Sequence, residues 1–169
     1  MKFEALFQEL ANSGEMIRAL LAGVTQEEAA VKPNPESWSQ LEVICHLHDE
    51  EREDFRSRLQ NILSGSNEEF QMINPQGWVM ERNYNKQNFS EVVKKFFAER
   101  MKSLDWLKSL TNVDWEITHT DQYGSVMAGE MFSAWVAHDN LHIRQLVELR
   151  RARIEKIAHP YILEYAGEW

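Results

Sequence analysis

The apolar residues of this chain recur mainly at the three- and four-residue spacing that is typical of amphipathic helices. In the first segment this pattern covers residues 2–21 and stops near Gly23, where glycine favours the end of a helix. Thr25-Gln26-Glu27-Glu28 then has the capping-box pattern that begins a short helical turn. Pro33 and Pro35 follow, and because each proline biases its predecessor away from helix, we expect an extended link there.

Three more long segments with helical periodicity follow this link, separated by two irregular stretches. Residues 64–85 are polar and mixed, which predicts a long loop with about one helical turn. Residues 111–125 form a second irregular link, and we find no convincing strand pattern in the chain. The predicted helices cover residues 37–63, starting at Ser37 or Ser39; residues 90–110, with Ser90 as the N-cap candidate; and residues 128–157, before Pro160.

Four long helices in 169 residues predict one all-α domain, residues 1–169, folded as a four-helix bundle. A chain of this length buries roughly 70% of the surface of its extended form, which is enough for a full hydrophobic core. Hydrophobic residues make up 43% of the sequence and supply that core. The tail of residues 161–169 is aromatic, and we expect it to pack on the bundle or on a partner.

The charge balance and the cysteine count exclude several classes of protein. The formal charge of −9 repels phosphate backbones and argues against a nucleic-acid binder. No stretch approaches the roughly 18 apolar residues of a membrane span, and the N-terminus lacks the apolar region of a signal peptide. The single cysteine, Cys45, allows neither an intrachain disulfide nor a cysteine zinc site, so we predict a protein of the reducing cytoplasm.

Two histidines on the last predicted helix are the first candidates for functional chemistry. His138 and His142 lie four residues apart on the apolar stripe that also contains Trp135 and Leu146. Residues at this spacing share one helix face with Cβ atoms about 5–6 Å apart, so the two imidazoles can converge on one metal ion. A pair of structural core histidines would have the same spacing, although buried imidazoles need polar partners and a metal ion is one.

A third ligand should come from another helix, and His46-Leu47-His48-Asp49-Glu50 offers two histidines. Helical periodicity leaves His46 and His48 as alternatives, because two different apolar arcs can be drawn through this helix. The arc that favours His48 contains Leu41, Cys45, Phe55 and Leu59, whereas the arc that both histidines flank equally contains Val43, Ile44 and Leu47. Cys45 adjoins His46 but points about 100° away, so we expect a buried, inert thiol.

Two motifs, about 90 residues apart, carry a resemblance to a known family. The first runs from Pro33 to Asp49 and combines a proline-containing lead-in with Trp38-Ser39, Glu42 and His46-Leu47-His48-Asp49. The second is His138-Asp139-Asn140-Leu141-His142, followed by Gln145. In this order, and over most of the chain, the sequence resembles the DinB-like (DinB/YfiT-like) four-helix-bundle metalloenzymes.

The resemblance implies an up-down-down-up bundle in which His46, His138 and His142 hold one divalent metal ion. It thereby favours His46 over His48 as the third ligand. It also implies a homodimer that acts on a small molecule, as a thiol-dependent S-transferase or isomerase whose metal activates a low-molecular-weight thiol or water. Three imidazoles leave coordination positions open, and all-nitrogen ligation leads us to expect zinc or nickel.

Several polar residues beside the three histidines are further candidates. Asp49 and Asp139 could each orient an imidazole N–H, and Gln145 could contact a substrate or cap the site. Glu50 could face the site as a fourth ligand or a base, or lie on the surface as an ordinary carboxylate. We expect Trp38 and Trp135 in the core and His119 and His159 on the surface.

The sequence supports two functional hypotheses. The first is a metal-dependent thiol transferase or hydrolase of the DinB-like type, for which the sequence assigns no catalytic residue beyond the metal ligands. The alternative is a non-catalytic, metal- or ligand-binding bundle of the stress response, whose metal stabilises the fold or senses a ligand.

Overall fold

The computed structural model describes residues 2–66, 68–122 and 124–168. Four of its helices are long, and they form the bundle. In chain order the helices are α1 (Phe3–Leu21), α2 (Gln26–Ala29), α3 (the consecutive segments Gln40–Asp49, Glu50–Phe55 and Arg56–Leu63), α4 (Pro75–Glu81), α5 (Phe89–Ser109) and α6 (Ala128–Ala158). Helix α1 packs on α6, and α3 packs on both α5 and α6. The predicted all-α, up-down-down-up four-helix bundle is confirmed.

Polar side chains cap the starts of two of the long helices, α3 and α5. At the start of α3, Ser39 Oγ accepts the backbone N–H of Glu42 at 3.1 Å, and Glu42 Oε2 accepts the N–H of Ser39 at 2.8 Å. The start of α5 was predicted two residues too late, because the cap is Asn88 and not Ser90. Asn88 Oδ1 accepts the N–H of Glu91 at 3.0 Å, and the Ser90 hydroxyl donates to the same oxygen.

Helix α3 is continuous, but its middle segment, Glu50–Phe55, is π-helical. A π-helical turn closes i→i+5 hydrogen bonds and so holds about one residue more than an α-helical turn. The segment that carries His46 is therefore rotated by about 100° relative to the segment that carries Leu59. Both segments bury apolar side chains, with Ile44 in the first and Leu59 in the second fully buried.

A short hairpin occupies part of the link before α6, so the expectation of no strands was wrong. Strands β1 (Thr118–Asp121) and β2 (Gly124–Met127) pair antiparallel, with Thr118 opposite Met127. Strands of four residues are too short to show a reliable alternating pattern. The expected exposure of His119 was also wrong, because this β1 residue is buried and stacks on Phe70 with ring centroids 4.1 Å apart.

The interior has two apolar clusters with a buried ionic group between them. Arg100 of α5 contacts the ring of Phe96 in one cluster and donates to Glu51 of α3 and Asp139 of α6. Trp135, in the second cluster, donates its indole N–H to Glu51 at 3.2 Å. This arginine therefore ties together the two helices that carry the candidate histidines.

Within the described residues, none of the helices combines the length and hydropathy that a membrane crossing requires. The C-terminal tail does not bury its tyrosines on the bundle, since Tyr161 and Tyr165 are both exposed. Trp169, the last residue of that tail, lies outside the described residues. Packing of the tail on a partner stays a prediction.

Candidate metal centre

Three imidazoles meet where α3 crosses α6. The Nε2 atom of His138 lies 3.3 Å from Nε2 of His46 and 3.1 Å from Nε2 of His142. The ligand atoms of all three residues lie within 4.8 Å of one another, and among the described residues this is the group of histidine, cysteine or acidic side chains that could hold a metal ion. The sequence motifs singled out the same three residues.

These distances fit a tetrahedral metal ion. Zinc–nitrogen bonds of about 2.0–2.1 Å at the tetrahedral angle place two ligand nitrogens about 3.3–3.4 Å apart. The observed separations of 3.1 and 3.3 Å are close to that value without adjustment of the side chains. A single shared proton cannot serve the lone pairs of three imidazole nitrogens that point at one position. A metal cation accepts all three lone pairs.

The surroundings keep these imidazoles neutral, as metal ligation requires. Burial lowers the pKa of His46 to about 2, and repulsion from His142 and His138 adds to the effect. Burial likewise lowers the pKa of His138 to about 3, with repulsion from His142 and Arg100. The pKa of His142 is also lowered by burial, although its hydrogen bond to Gln145 acts in the opposite direction. Nitrogen lone pairs are therefore available at neutral pH.

Gln145 fixes the ring of His142. Its Oε1 lies 2.8 Å from His142 Nδ1, so that Nδ1 donates the hydrogen bond and Nε2 keeps its lone pair toward the other imidazoles. Sequence spacing predicted Gln145 near the site, and the structure gives it this orienting contact.

The ambiguity between His46 and His48 is decided by the direction of each side chain. His46 is buried and turns toward α6, where it meets His138. His48 turns away and places its Nδ1 3.0 Å from Asp49 Oδ1. The wheel that favoured His48 used Phe55 and Leu59, which lie within or beyond the π-helical segment and so follow a different register.

Glu50 is buried beside His46, and the surface alternative for this residue was wrong. Its Oε1 atom lies 4.0 Å from Nδ1 of His46, and neither atom has a hydrogen-bond partner among the described residues. Burial, together with a hydrogen bond and charge repulsion from Asp54, raises the pKa of Glu50 to about 8. Glu50 lines the same cleft as the imidazoles.

Asp49 and Asp139 have partners other than the imidazoles of the site, so the expectation that they orient those rings is not supported. Asp49 accepts a hydrogen bond from the Tyr84 hydroxyl at 2.7 Å and pairs with Arg82. Burial opposes its ionisation, but hydrogen bonds from His48, Tyr84 and Arg82 hold its pKa well below the usual range. Asp139 accepts two hydrogen bonds from Arg100, at 2.6 and 3.0 Å.

The imidazoles open onto a cleft of about 1070 Å³. Trp38 forms one wall, with its ring centroid 4.9 Å from that of His46 and its plane parallel to that of His142. Trp38 is partly buried and also packs against one of the two apolar clusters, so it lies at the edge of the core as well as on the cleft, whereas Trp135 is fully buried as expected. A second cavity of about 740 Å³ adjoins the cleft and shares three lining residues with it: Pro33, Leu149 and Ala152.

Cys45 adjoins His46 in sequence but plays no part in the cleft. Its thiol is buried and points toward the backbone carbonyl of Tyr84, and burial raises its pKa to about 12. The prediction of a buried thiol is confirmed, and its lack of reactivity stays a prediction. His159, at the end of α6, is exposed as expected.

Comparison with known proteins places this geometry in a family. The sequence model of the DinB superfamily matches residues 9–146, which include all three histidines and Gln145. The chain belongs to the DinB superfamily. No curated protein matches the chain.

Solved structures share the fold of this DinB-superfamily chain, and one of them is informative by its description. It is YfiT from Bacillus subtilis, described as a probable metal-dependent hydrolase with an unusual four-helix bundle topology. The match has a TM-score of 0.77 and 16% sequence identity, and covers 89% of this chain and 86% of that one. At this identity the similarity shows the fold, including its topology.

Proposed function

We propose that this DinB-superfamily protein binds one divalent metal ion through Nε2 of His46, His138 and His142, and that the ion activates a nucleophile for reaction with a small molecule. The observation that carries the proposal is the convergence of three neutral imidazoles. Nε2 of His138 lies 3.3 Å from Nε2 of His46 and 3.1 Å from Nε2 of His142. The description of YfiT as a probable metal-dependent hydrolase supports the same class of chemistry.

The donor set suits a reactive site better than a structural one. Three nitrogen ligands would leave at least one coordination position of the ion open, and the three imidazoles line a cleft that a small molecule could enter. A divalent cation in such a site lowers the pKa of a bound water or thiol toward neutrality and polarises an electrophile. Zinc or nickel is the ion that we propose, since both accept imidazole nitrogen readily.

The residues of the chain have separate roles in this proposal. The three imidazoles hold the ion, and Gln145 fixes the ring of His142. Trp38 provides an apolar wall beside two of the ligands, against which a substrate can lie with its reactive group at the ion. The cleft volume lies just above the usual range for small-molecule sites, about 300–1,000 Å³.

Two nucleophiles fit this site, water and a low-molecular-weight thiol. Water would make the protein a hydrolase, and a thiol would make it an S-transferase or isomerase. The non-catalytic alternative, a bundle that only binds metal or a ligand, predicts full metal occupancy without turnover of any substrate. The cytoplasmic location and the homodimer stay predictions from the sequence.

Metal analysis of purified protein tests the binding part of the proposal. Wild-type protein, stripped and reloaded, should hold about one zinc or nickel ion per chain, and His142→Ala should lose it. His48→Ala is the matched control, because His48 lies on the same helix as His46 but faces Asp49. Loss of the ion in both variants, or in neither, would contradict the assignment of ligands.

A substrate screen tests the catalytic part. Metal-loaded protein would be mixed with chromogenic esters and amides, and separately with cellular thiols and a chromogenic electrophile. Turnover that disappears in His142→Ala supports catalysis and identifies water or thiol as the nucleophile. Background rates with every substrate at full metal occupancy would favour the binding-only alternative.

A further inference from the structure

The imidazole of His46 lacks the support that His142 receives. Because Nε2 of His46 points toward His138, its Nδ1 atom points to the opposite side of the ring. That atom is buried and has no hydrogen-bond partner among the described residues. An unpaired buried polar group is costly, typically by about 1–3 kcal/mol, so its persistence calls for a partner.

A carboxyl oxygen that also lacks a partner lies beside it. Glu50 Oε1 is 4.0 Å from Nδ1 of His46, and both side chains are almost completely buried, at 5% and 6% exposure. The gap exceeds the 2.7–3.2 Å of a hydrogen bond by about 1 Å, which a small rotation of either side chain closes. Two unpaired atoms of complementary chemistry, one a donor and one an acceptor, therefore face each other.

Two features of α3 bear on the position of Glu50 beside His46. It lies four residues after His46, and residues at this spacing share one helix face. It is also the first residue of the π-helical segment Glu50–Phe55, and single π-helical turns within α-helices are frequent at functional sites. The carboxyl group is consequently directed into the cleft with the imidazoles.

Glu50 is not part of the ligand set itself. The atoms that lie within 4.8 Å of one another come from His46, His138 and His142, and Glu50 is not among them. Its position behind the ring of His46 corresponds to that of Gln145 behind the ring of His142. Metal-bound histidines commonly donate their second N–H to a carboxylate or carbonyl group in this way.

We propose that Glu50 is a positioning residue: when a metal ion binds, Oε1 of Glu50 accepts a hydrogen bond from Nδ1–H of His46 and holds Nε2 toward the ion. This inference rests on the proposed metal site, but it concerns a residue outside the ligand set. It predicts that Glu50 sets metal affinity through the orientation of one ligand.

Three variants separate the hydrogen bond from a general effect of charge. Glu50→Leu replaces the acceptor with an apolar side chain of similar size. Glu50→Gln cannot ionise but keeps a carbonyl acceptor. Glu36→Ala is the matched control, because Glu36 is an exposed carboxylate that lines the same cleft.

Affinities for Zn²⁺ and Co²⁺ would be measured by competition with a chromophoric chelator. We expect Glu50→Leu to bind about 10–100-fold more weakly than wild type, the usual effect of losing such a partner. Glu50→Gln should remain within about threefold of wild type, and Glu36→Ala should be unchanged. Equal weakening in Glu50→Leu and Glu36→Ala would overturn the proposal in favour of simple charge attraction, as would equal weakening in Glu50→Leu and Glu50→Gln.

NMR of the Co²⁺-loaded protein provides a readout that does not depend on affinity or on variant folding. In wild type and Glu50→Gln, the paramagnetically shifted N–H proton of His46 should exchange slowly with water, because it is buried and hydrogen-bonded. Rapid exchange of this proton in the wild-type protein would overturn the proposal. Unchanged affinity of Glu50→Leu would overturn the role of Glu50 alone, whereas a wild-type chain that binds no metal would remove the metal site as well.

Discussion

Replacing Arg100 by methionine should strongly destabilise the bundle. The arginine side chain is 3% exposed and makes five hydrogen bonds, to Glu51, Asp139 and the carbonyl of Leu10. Each of the two carboxylates is 1% exposed, so neither can be rehydrated when the cation is removed. Loss of one partner from a buried ionic group typically costs about 3–5 kcal/mol, and we expect the free energy of unfolding to fall by that amount.

A matched arginine on the other side of the same interface provides the control. Arg56 of α3 pairs with Glu99 of α5 at 2.5 Å, but these side chains are 15% and 16% exposed. Water can reach Glu99 in Arg56→Met, so the expected loss is about 1 kcal/mol. Arg56 also donates to the backbone carbonyl of Glu99 and to Ser103 Oγ, so both variants remove a multiply hydrogen-bonded arginine between α3 and α5. The variants differ in the burial and in the number of the carboxylates that are left without a partner.

Urea unfolding of the metal-free proteins at neutral pH, followed by circular dichroism and tryptophan fluorescence, would give both values. Arg100 also joins α3 to α6, the helices that carry the imidazoles, so Arg100→Met should bind Co²⁺ more weakly than Arg56→Met. A smaller loss of stability in Arg100→Met than in Arg56→Met would refute the reasoning from burial.

Three further predictions concern single side chains. Cys45 should not react with a thiol reagent at pH 8 in the folded protein and should react after unfolding in urea, because burial raises its pKa to about 12. Ser39→Ala should lower the free energy of unfolding by about 1–2 kcal/mol in urea titrations, since it removes the cap of α3 and a 2.7 Å hydrogen bond to Asn85. Ala152→Trp should narrow the junction of the two cavities and weaken binding of the larger substrates found in a screen, while metal stoichiometry stays at one.

Local sequence patterns were sufficient for the long helices and for the pair on α6. Helical spacing alone puts His138 and His142 on one face, because both residues belong to one regular helix. Capping chemistry likewise restricted the start of α3 to Ser37 or Ser39, and the structure has Ser39 as the cap. These features depend on residues within about four positions of one another, and such information is fully present in a single sequence.

Contacts between distant segments were not predictable in this way. The Arg100 network joins residues 39 and 49 positions away in sequence, and nothing in the local pattern of α5 shows which acidic residues it meets. The sequence reasoning therefore assigned Asp139 to the histidines beside it in the chain. Trp38 was missed as a cleft wall for a related reason. An apolar residue just before a helix is predicted to lie in the core, and only the position of the neighbouring helix shows that it borders a cleft.

Helical periodicity could not decide between His46 and His48 for a different and more specific reason. A helical wheel assumes one register along the whole helix, and the π-helical segment Glu50–Phe55 breaks that assumption. The extra residue rotates the front of α3 by about 100° relative to the back. In an uninterrupted α-helix, a register that buries Leu59 would carry His46 away from α6. Because of the π-helical turn, Leu59 at one end of α3 and His46 at the other can both face the interior of the bundle. The turn begins at Glu50, whose carboxyl group lies beside His46.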